Sequence, residues 1–181
     1  MQQAASQVSA PALTILCLCT GNSARSILLE ALFNHLGRGR VRAFSAGSHP
    51  AGRVNPIALT LLERMGIPAG TAHSKSWQEF AGPGAPRVDA VITVCDSAAG
   101  EVCPVWPGHP VTAHWGVADP AAASGTPQQV EAAFKEAFTI LDHRARALLA
   151  LLALSPEART PAELESSLRA IGRSLPIPTS T

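Results

Sequence analysis

The patterned part of the chain begins with an unbroken apolar run, "ALTILCL" (12–18), which suits a strand buried on both faces. The period then changes without a spacer. Ile27, Leu28, Ala31, Leu32 and Leu36 recur at helical spacing, predicting a helix from about Ala24 that Gly37 stops. "VRAFSAG" (41–47) alternates as a second strand, and residues 55–65 read as a helix with Pro56 in its first turn and Gly66 beyond its end. "VDAVITVC" (88–95), rich in β-branched residues, predicts a third strand, and "PVTAHW" (110–115) a weaker fourth. The longest helix is expected over about 128–153, with Val130, Phe134, Phe138 and Leu141 turned inward. Strands alternating with helices predict an α/β fold, a parallel sheet covered by helices on both faces.

Beyond this body, "TPAE" (160–163) is a capping-box pattern with Pro161 at the first helical position. Leu164, Leu168 and Ile171 follow as a stripe that ends before Gly172, so a short amphipathic helix should dock on the body. Residues 1–11 are expected to be a flexible lead, 12–154 the main domain, and 155–181 an extension carrying that helix.

Composition narrows the function. A chain of 181 residues can bury a real core. A net charge of +1 gives no electrostatic reason to expect nucleic acid or an anionic membrane as a partner. "MQQAASQVSAPA" (1–12) has neither a basic start nor an apolar core, so no secretion signal is expected. The longest apolar run, "ALLALLAL" (147–154), is far too short for a bilayer. Four cysteines are too few for a disulfide scaffold and read better as thiols in a reducing cytoplasm. A monomer is expected.

The chemistry is concentrated in "CTGNSARS" (19–26). Cys19 stands at the carboxyl end of the first strand, where ligands bind in open α/β sheets. Small residues from Thr20 to Ala24, entering a helix, can aim several backbone N–H groups at one point, with the helix dipole behind them. Such a loop, Thr20, Gly21, Asn22, Ser23, Ala24, Arg25 and Ser26, fits a tetrahedral oxyanion. Arg25 can clamp two of its oxygens with paired hydrogen bonds. The same positive surroundings favour a nucleophilic Cys19 thiolate. The expected event is attack by sulfur on the central atom of a phosphate-like ion.

This wording resembles the catalytic loop of the low-molecular-weight protein tyrosine phosphatase superfamily, and more particularly its arsenate reductase branch. "SAG" (45–47), "VNP" (54–56), "ITVC" (92–95) and "HWGVADP" (114–120) fall in the order that branch shows. The resemblance spans about 12–153. It implies a four-stranded parallel sheet in a phosphatase-like catalytic domain, with Cys19 as nucleophile and Asp119 as a functional carboxylate. Asp119, held by Pro120 in a loop, could protonate the oxygen that leaves as sulfur attacks.

The other cysteines separate the branches. Cys95 ends the third strand and Cys103 follows in "CDSAAGEVC" (95–103). Neighbouring strand ends lie together, which brings Cys95 within reach of the Cys19 loop. Hydrolysis of a phosphoester needs one thiol, whereas reduction of arsenate to arsenite needs electrons from further thiols. In the related reductases the sequence of disulfides implied here is Cys19–Cys95, then Cys95–Cys103. If 96–102 is helical, Cys95 and Cys103 stand about 12 Å apart along the axis. A disulfide needs Cα atoms within about 7 Å, so the segment must unwind. The chain has no Tyr, and Ala121, Ala122 and Ala123 follow Asp119-Pro120 where tyrosine phosphatases carry aromatic residues.

Two features depart from the reductase pattern. Cys95 and Cys103 have one more intervening residue than the thioredoxin-linked members, and Ala24 replaces a loop cysteine. Cys17 reads as core packing. No metal site is expected, because two cysteines without paired His or Cys make an incomplete zinc set. The reading is a cytoplasmic arsenate reductase serving arsenic resistance, with phosphate and sulfate as competitors. It has no bound cofactor and draws electrons from an external thiol, either thioredoxin or glutathione with glutaredoxin. The alternatives are a phosphatase acting through a phosphocysteine and a non-catalytic oxyanion-binding or thiol-sensing module.

Overall fold

A computed structural model describes residues 12–101, 104–154 and 160–176. Four strands, β1 (Leu13–Cys19), β2 (Val41–Gly47), β3 (Ala90–Thr93) and β4 (Val111–His114), form one all-parallel sheet in the order β2-β1-β3-β4. The central β1 explains the unbroken apolar run. Ile15, Cys17 and Cys19 join one hydrophobic cluster, and Leu16 and Leu18 join the other.

Helices α1 (Arg25–Gly37), α2 (Pro56–Arg64) and α4 (Pro127–Leu154) contribute to the larger cluster through residues such as Leu28, Phe33, Leu62, Phe134 and Leu141. The smaller cluster is closed by Trp77 and Phe80 on a single 3-10 turn and by Trp106 in a loop. Among the described residues, helical cover on this face is thus only one turn long. A short helix, α3 (Asp96–Gly100), follows β3 at the carboxyl end of the sheet.

One expected stop behaves differently. Gly37 is the last residue of α1, and the left-handed cap is Arg38, at φ 47°. Gly37 is small for another reason: a Cβ there would lie 3.1 Å from Cβ of Val41, where the helix end meets β2.

The C-terminal helix α5 (Pro161–Gly172) starts with the expected capping box between Thr160 and Glu163. Leu164, Leu168 and Ile171 are buried in the same cluster as the sheet. Trp115, just after β4, donates its indole N–H to the carbonyl of Leu168 at 2.8 Å. The buried Arg144 guanidinium ties Gly116 to Ser174 through their carbonyls, at 3.2 and 3.1 Å. Leu168→Ala should therefore cost about 2–5 kcal/mol, as for any fully buried leucine. A denaturation midpoint unchanged by the substitution would contradict this docking. No helix among the described residues is long and apolar enough to cross a membrane.

Candidate functional site

A cleft of about 540 Å³ opens at the carboxyl end of the sheet, walled by residues from 19–25, 95–97 and 117–119. Its floor is the turn from β1 into α1. The orientation of that turn is set by a segment distant in sequence. The N–H groups of His49, Ala51 and Asn55 donate to the carbonyls of Thr20, Gly21 and Ser23 at 2.9, 2.8 and 2.8 Å. With these carbonyls drawn outward, the intervening N–H groups turn the other way, because a peptide's N–H and C=O point in opposite directions. Asn22 N–H accordingly donates to Cys19 Sγ at 3.1 Å. The N-cap of α1 is Ala24, whose side chain cannot accept from the first-turn N–H groups. Those donors are left for an external anion.

Asn22 is fully buried and sits at φ 43°, a conformation Asn tolerates better than most residues. Its side-chain amide donates to Ser26 Oγ and Ser45 Oγ, both at 2.9 Å, and its Oδ1 accepts from Lys75 N–H at 2.8 Å. Ser26 Oγ lies 2.9 Å from Cys19 Sγ. Gly47 lets the end of β2 approach this turn, since a Cβ there would stand 2.4 Å from the carbonyl oxygen of Thr20.

Arg25, the first residue of α1, reaches across the cleft. One terminal nitrogen donates to the carbonyl of Val117 at 2.9 Å, and the other pairs with Asp119 Oδ2 at 2.9 Å. Asp119 also accepts from Ala121 N–H at 3.1 Å, capping a 3-10 turn over Pro120–Ala122. Asp119 thus faces the guanidinium expected to hold the anion, and its carboxyl edges the cleft.

Cys95 is brought to the same place. It is the N-cap of α3, its buried Sγ accepts from Ala98 N–H at 3.4 Å, and it lies 3.5 Å from Thr20 Oγ1. Asp96 pairs with His114 Nε2 at 2.9 Å, anchoring the start of α3 to β4. Cys103 lies outside the described residues. Cys17 is fully buried beneath the loop. Burial pushes its thiol well above the ordinary range, and the charges of Glu30 and Cys19 add to the rise.

The structure therefore assembles Cys19, the 20–26 loop, Arg25, Cys95 and Asp119 around one cleft. Several supporting residues escaped the sequence reading. Ser45 and Asn55 fall in "SAG" (45–47) and "VNP" (54–56), which marked a family match without giving either residue a role, and Lys75 carries no signal. Glu30 was visible only as a carboxylate inside the apolar stretch "ILLEALF" (27–33).

Comparisons with known proteins agree with this geometry. The family model described as low molecular weight phosphotyrosine protein phosphatase matches residues 14–158. An arsenate reductase of Bacillus licheniformis is 38% identical over 124 residues, covering 67% of this chain and 84% of that protein. One of Halalkalibacterium halodurans is 36% identical over 119 residues, covering 65% and 81%. Among solved structures, an arsenate reductase in a phosphate-binding state is 26% identical at a TM-score of 0.63, covering 77% of this chain and 98% of that one. A thioredoxin-dependent arsenate reductase of Corynebacterium glutamicum is 27% identical at a TM-score of 0.59, covering 82% and 66%.

Proposed function

The chain belongs to the low molecular weight phosphotyrosine protein phosphatase family, and on that premise we propose that it is an arsenate reductase working by thiol–disulfide exchange. The observation that carries this reading is the second buried thiol, Cys95, joined to the nucleophile's loop through the Thr20 hydroxyl. A hydrolase has no use for it. Resemblance to curated arsenate reductases supports the same choice.

In the proposed cycle, arsenate enters the 20–26 loop and takes Arg25 from its pairing with Asp119. Cys19 attacks arsenic, and Asp119 protonates the departing oxygen, which leaves as water. Cys95 then attacks Cys19 Sγ. A disulfide forms, the Cys19–arsenic bond breaks, and its electron pair reduces arsenic from the +5 to the +3 state, releasing arsenite. Cys103 attacks Cys95, freeing Cys19 and leaving a Cys95–Cys103 disulfide. An external thiol, from thioredoxin or from glutathione with glutaredoxin, returns both cysteines to thiols.

The test is arsenite production from arsenate with each donor supplied in turn, beside hydrolysis of a phosphotyrosine analogue. Arsenite in stoichiometric excess over enzyme with either donor supports the reading. Robust hydrolysis without any arsenite would overturn it in favour of a phosphatase. Phosphate should compete with arsenate, since the loop reads charge and tetrahedral shape. Arg25→Lys should weaken phosphate binding by about 10–100-fold, because an ammonium cannot reproduce the two-pronged clamp. Titration calorimetry with phosphate measures this, and unchanged affinity would remove Arg25 from the anion site.

A further inference from the structure

The C-terminal helix α5 lies outside the 14–158 family match, and the cycle above gives it no part. It is nevertheless fastened to the strand exit that leads to Asp119. Its last residue, Gly172, closes on β4: a Cβ there would stand 2.4 Å from the carbonyl oxygen of His114 and 2.7 Å from Cδ1 of Trp115. Just past the helix, the Ser174 carbonyl accepts from Arg144 Nε at 3.1 Å. A second nitrogen of the same guanidinium donates to the carbonyl of Gly116 at 3.2 Å. The guanidinium is planar and rigid, so Ser174 fixes the direction in which Arg144 meets Gly116.

This joint works against the stability of the charge that makes it. Arg144 is buried, its burial draws the guanidinium below the ordinary range, and no carboxylate pairs with it among the described residues. Asp142, on the same helix, pairs with Arg146 instead. What the joint supplies is visible at Gly116. A Cβ there would lie 2.6 Å from His114 Nε2, in a ring held at both nitrogens by Thr93 and Asp96. Glycine gives the ring its room and leaves the backbone free to turn.

Arg144 removes that freedom. The peptide between Gly116 and Val117 is gripped at both ends, its carbonyl by Arg144 and its N–H by the carbonyl of Val94 at 3.1 Å. The Val94 bond alone would let the peptide plane rock about one contact, whereas two opposed bonds fix it. The next carbonyl, that of Val117, accepts from Arg25, and Asp119 takes the other terminal nitrogen of Arg25.

We propose that Arg144 is a positioning residue for the cleft and α5 its anchor: together they fix the Gly116–Val117 peptide, and so hold the Val117 carbonyl and Asp119 on Arg25 until an anion arrives. The inference rests on the reading above of Arg25 as the anion's clamp. It has a consequence opposite to that of ordinary damage to the fold. An entering anion must take Arg25 from Asp119, so a loosened Asp119 competes less and the anion binds more tightly.

Titration calorimetry with inorganic phosphate reads this without arsenate turnover, with thermal melting as the check on folding. Arg144→Met should tighten phosphate binding about two- to fivefold, the range that a partly exposed ion pair spans. Gly172→Ala, which forces the end of α5 away from β4, should act in the same direction. In an Asp119→Ala background both effects should largely disappear, because changes that act through one contact are not additive.

Unchanged or weaker phosphate binding by a folded Gly172→Ala protein overturns the inference even if Arg144→Met does not fold. Equal tightening with and without Asp119 also overturns it. If phosphate behaves as expected but the wild-type protein reduces no arsenate with any donor, the positioning role stands and the proposed activity falls.

Discussion

Cys19→Ser is expected to yield no arsenite with any thiol donor, a loss on the order of 10³-fold or more. The reason lies in the loop geometry. Asn22 N–H and Ser26 Oγ both converge on the atom at position 19, at 3.1 and 2.9 Å. A thiolate there is stabilised by two donors, whereas a serine hydroxyl stays protonated at neutral pH and is a poor nucleophile toward arsenic. The anion contacts do not depend on the sulfur, because Arg25 and the first-turn N–H groups of α1 remain. Phosphate should therefore still bind, within a few-fold of wild type by calorimetry. Retained arsenite production by a folded Cys19→Ser protein would assign the chemistry to another thiol.

The second large effect separates Cys95 from Cys103. Cys95→Ser should still permit the first attack on arsenate but stop before arsenite leaves, because the thiol proposed to attack Cys19 is gone. Cys103→Ser should release about one arsenite per enzyme and then stall with thioredoxin as donor, trapped as Cys19–Cys95. The local structure explains why a relay would be needed. Cys95 is buried at the cleft and caps α3 through its sulfur. Its oxidation converts the sulfur to a weaker acceptor at the moment α3 must yield. That helix has five residues, of which only Ala98 is buried, so little packing opposes its unwinding. Quenched-flow arsenite counts against enzyme concentration measure the burst. Full turnover by Cys103→Ser with thioredoxin would remove the relay, and full turnover with glutathione and glutaredoxin alone would show that a small thiol enters the cleft directly.

What could be read from the residues was whatever is local or periodic. β1 was legible because Ile15–Cys19 are buried and alternate between the two hydrophobic clusters, and burial on both faces leaves an apolar run. The capping box at Thr160 and the stripe of Leu164, Leu168 and Ile171 were legible because a helix places its own partners three and four residues apart. The Cys19–Arg25 loop stood out for the same reason: the proposed nucleophile, the N–H donors and the guanidinium occupy one contiguous stretch. Gly37 misled because glycine at a helix end has two causes, a left-handed cap or a close approach. Only the position of Val41 selects between them.

The sheet order and the support beneath the loop were decided by tertiary structure. Pairing β1 with both β2 and β3 brings Ser45, Lys75 and Cys95 to a loop that begins at residue 19. The segment at 49–55 then turns the loop's carbonyls outward and its donors inward. Lys75 looks ordinary in sequence, and neither Glu30 inside its apolar stretch nor Ser45 in "SAG" carries a spacing rule that says what it will contact. Those contacts exist only once the chain has brought donors and acceptors within hydrogen-bond reach.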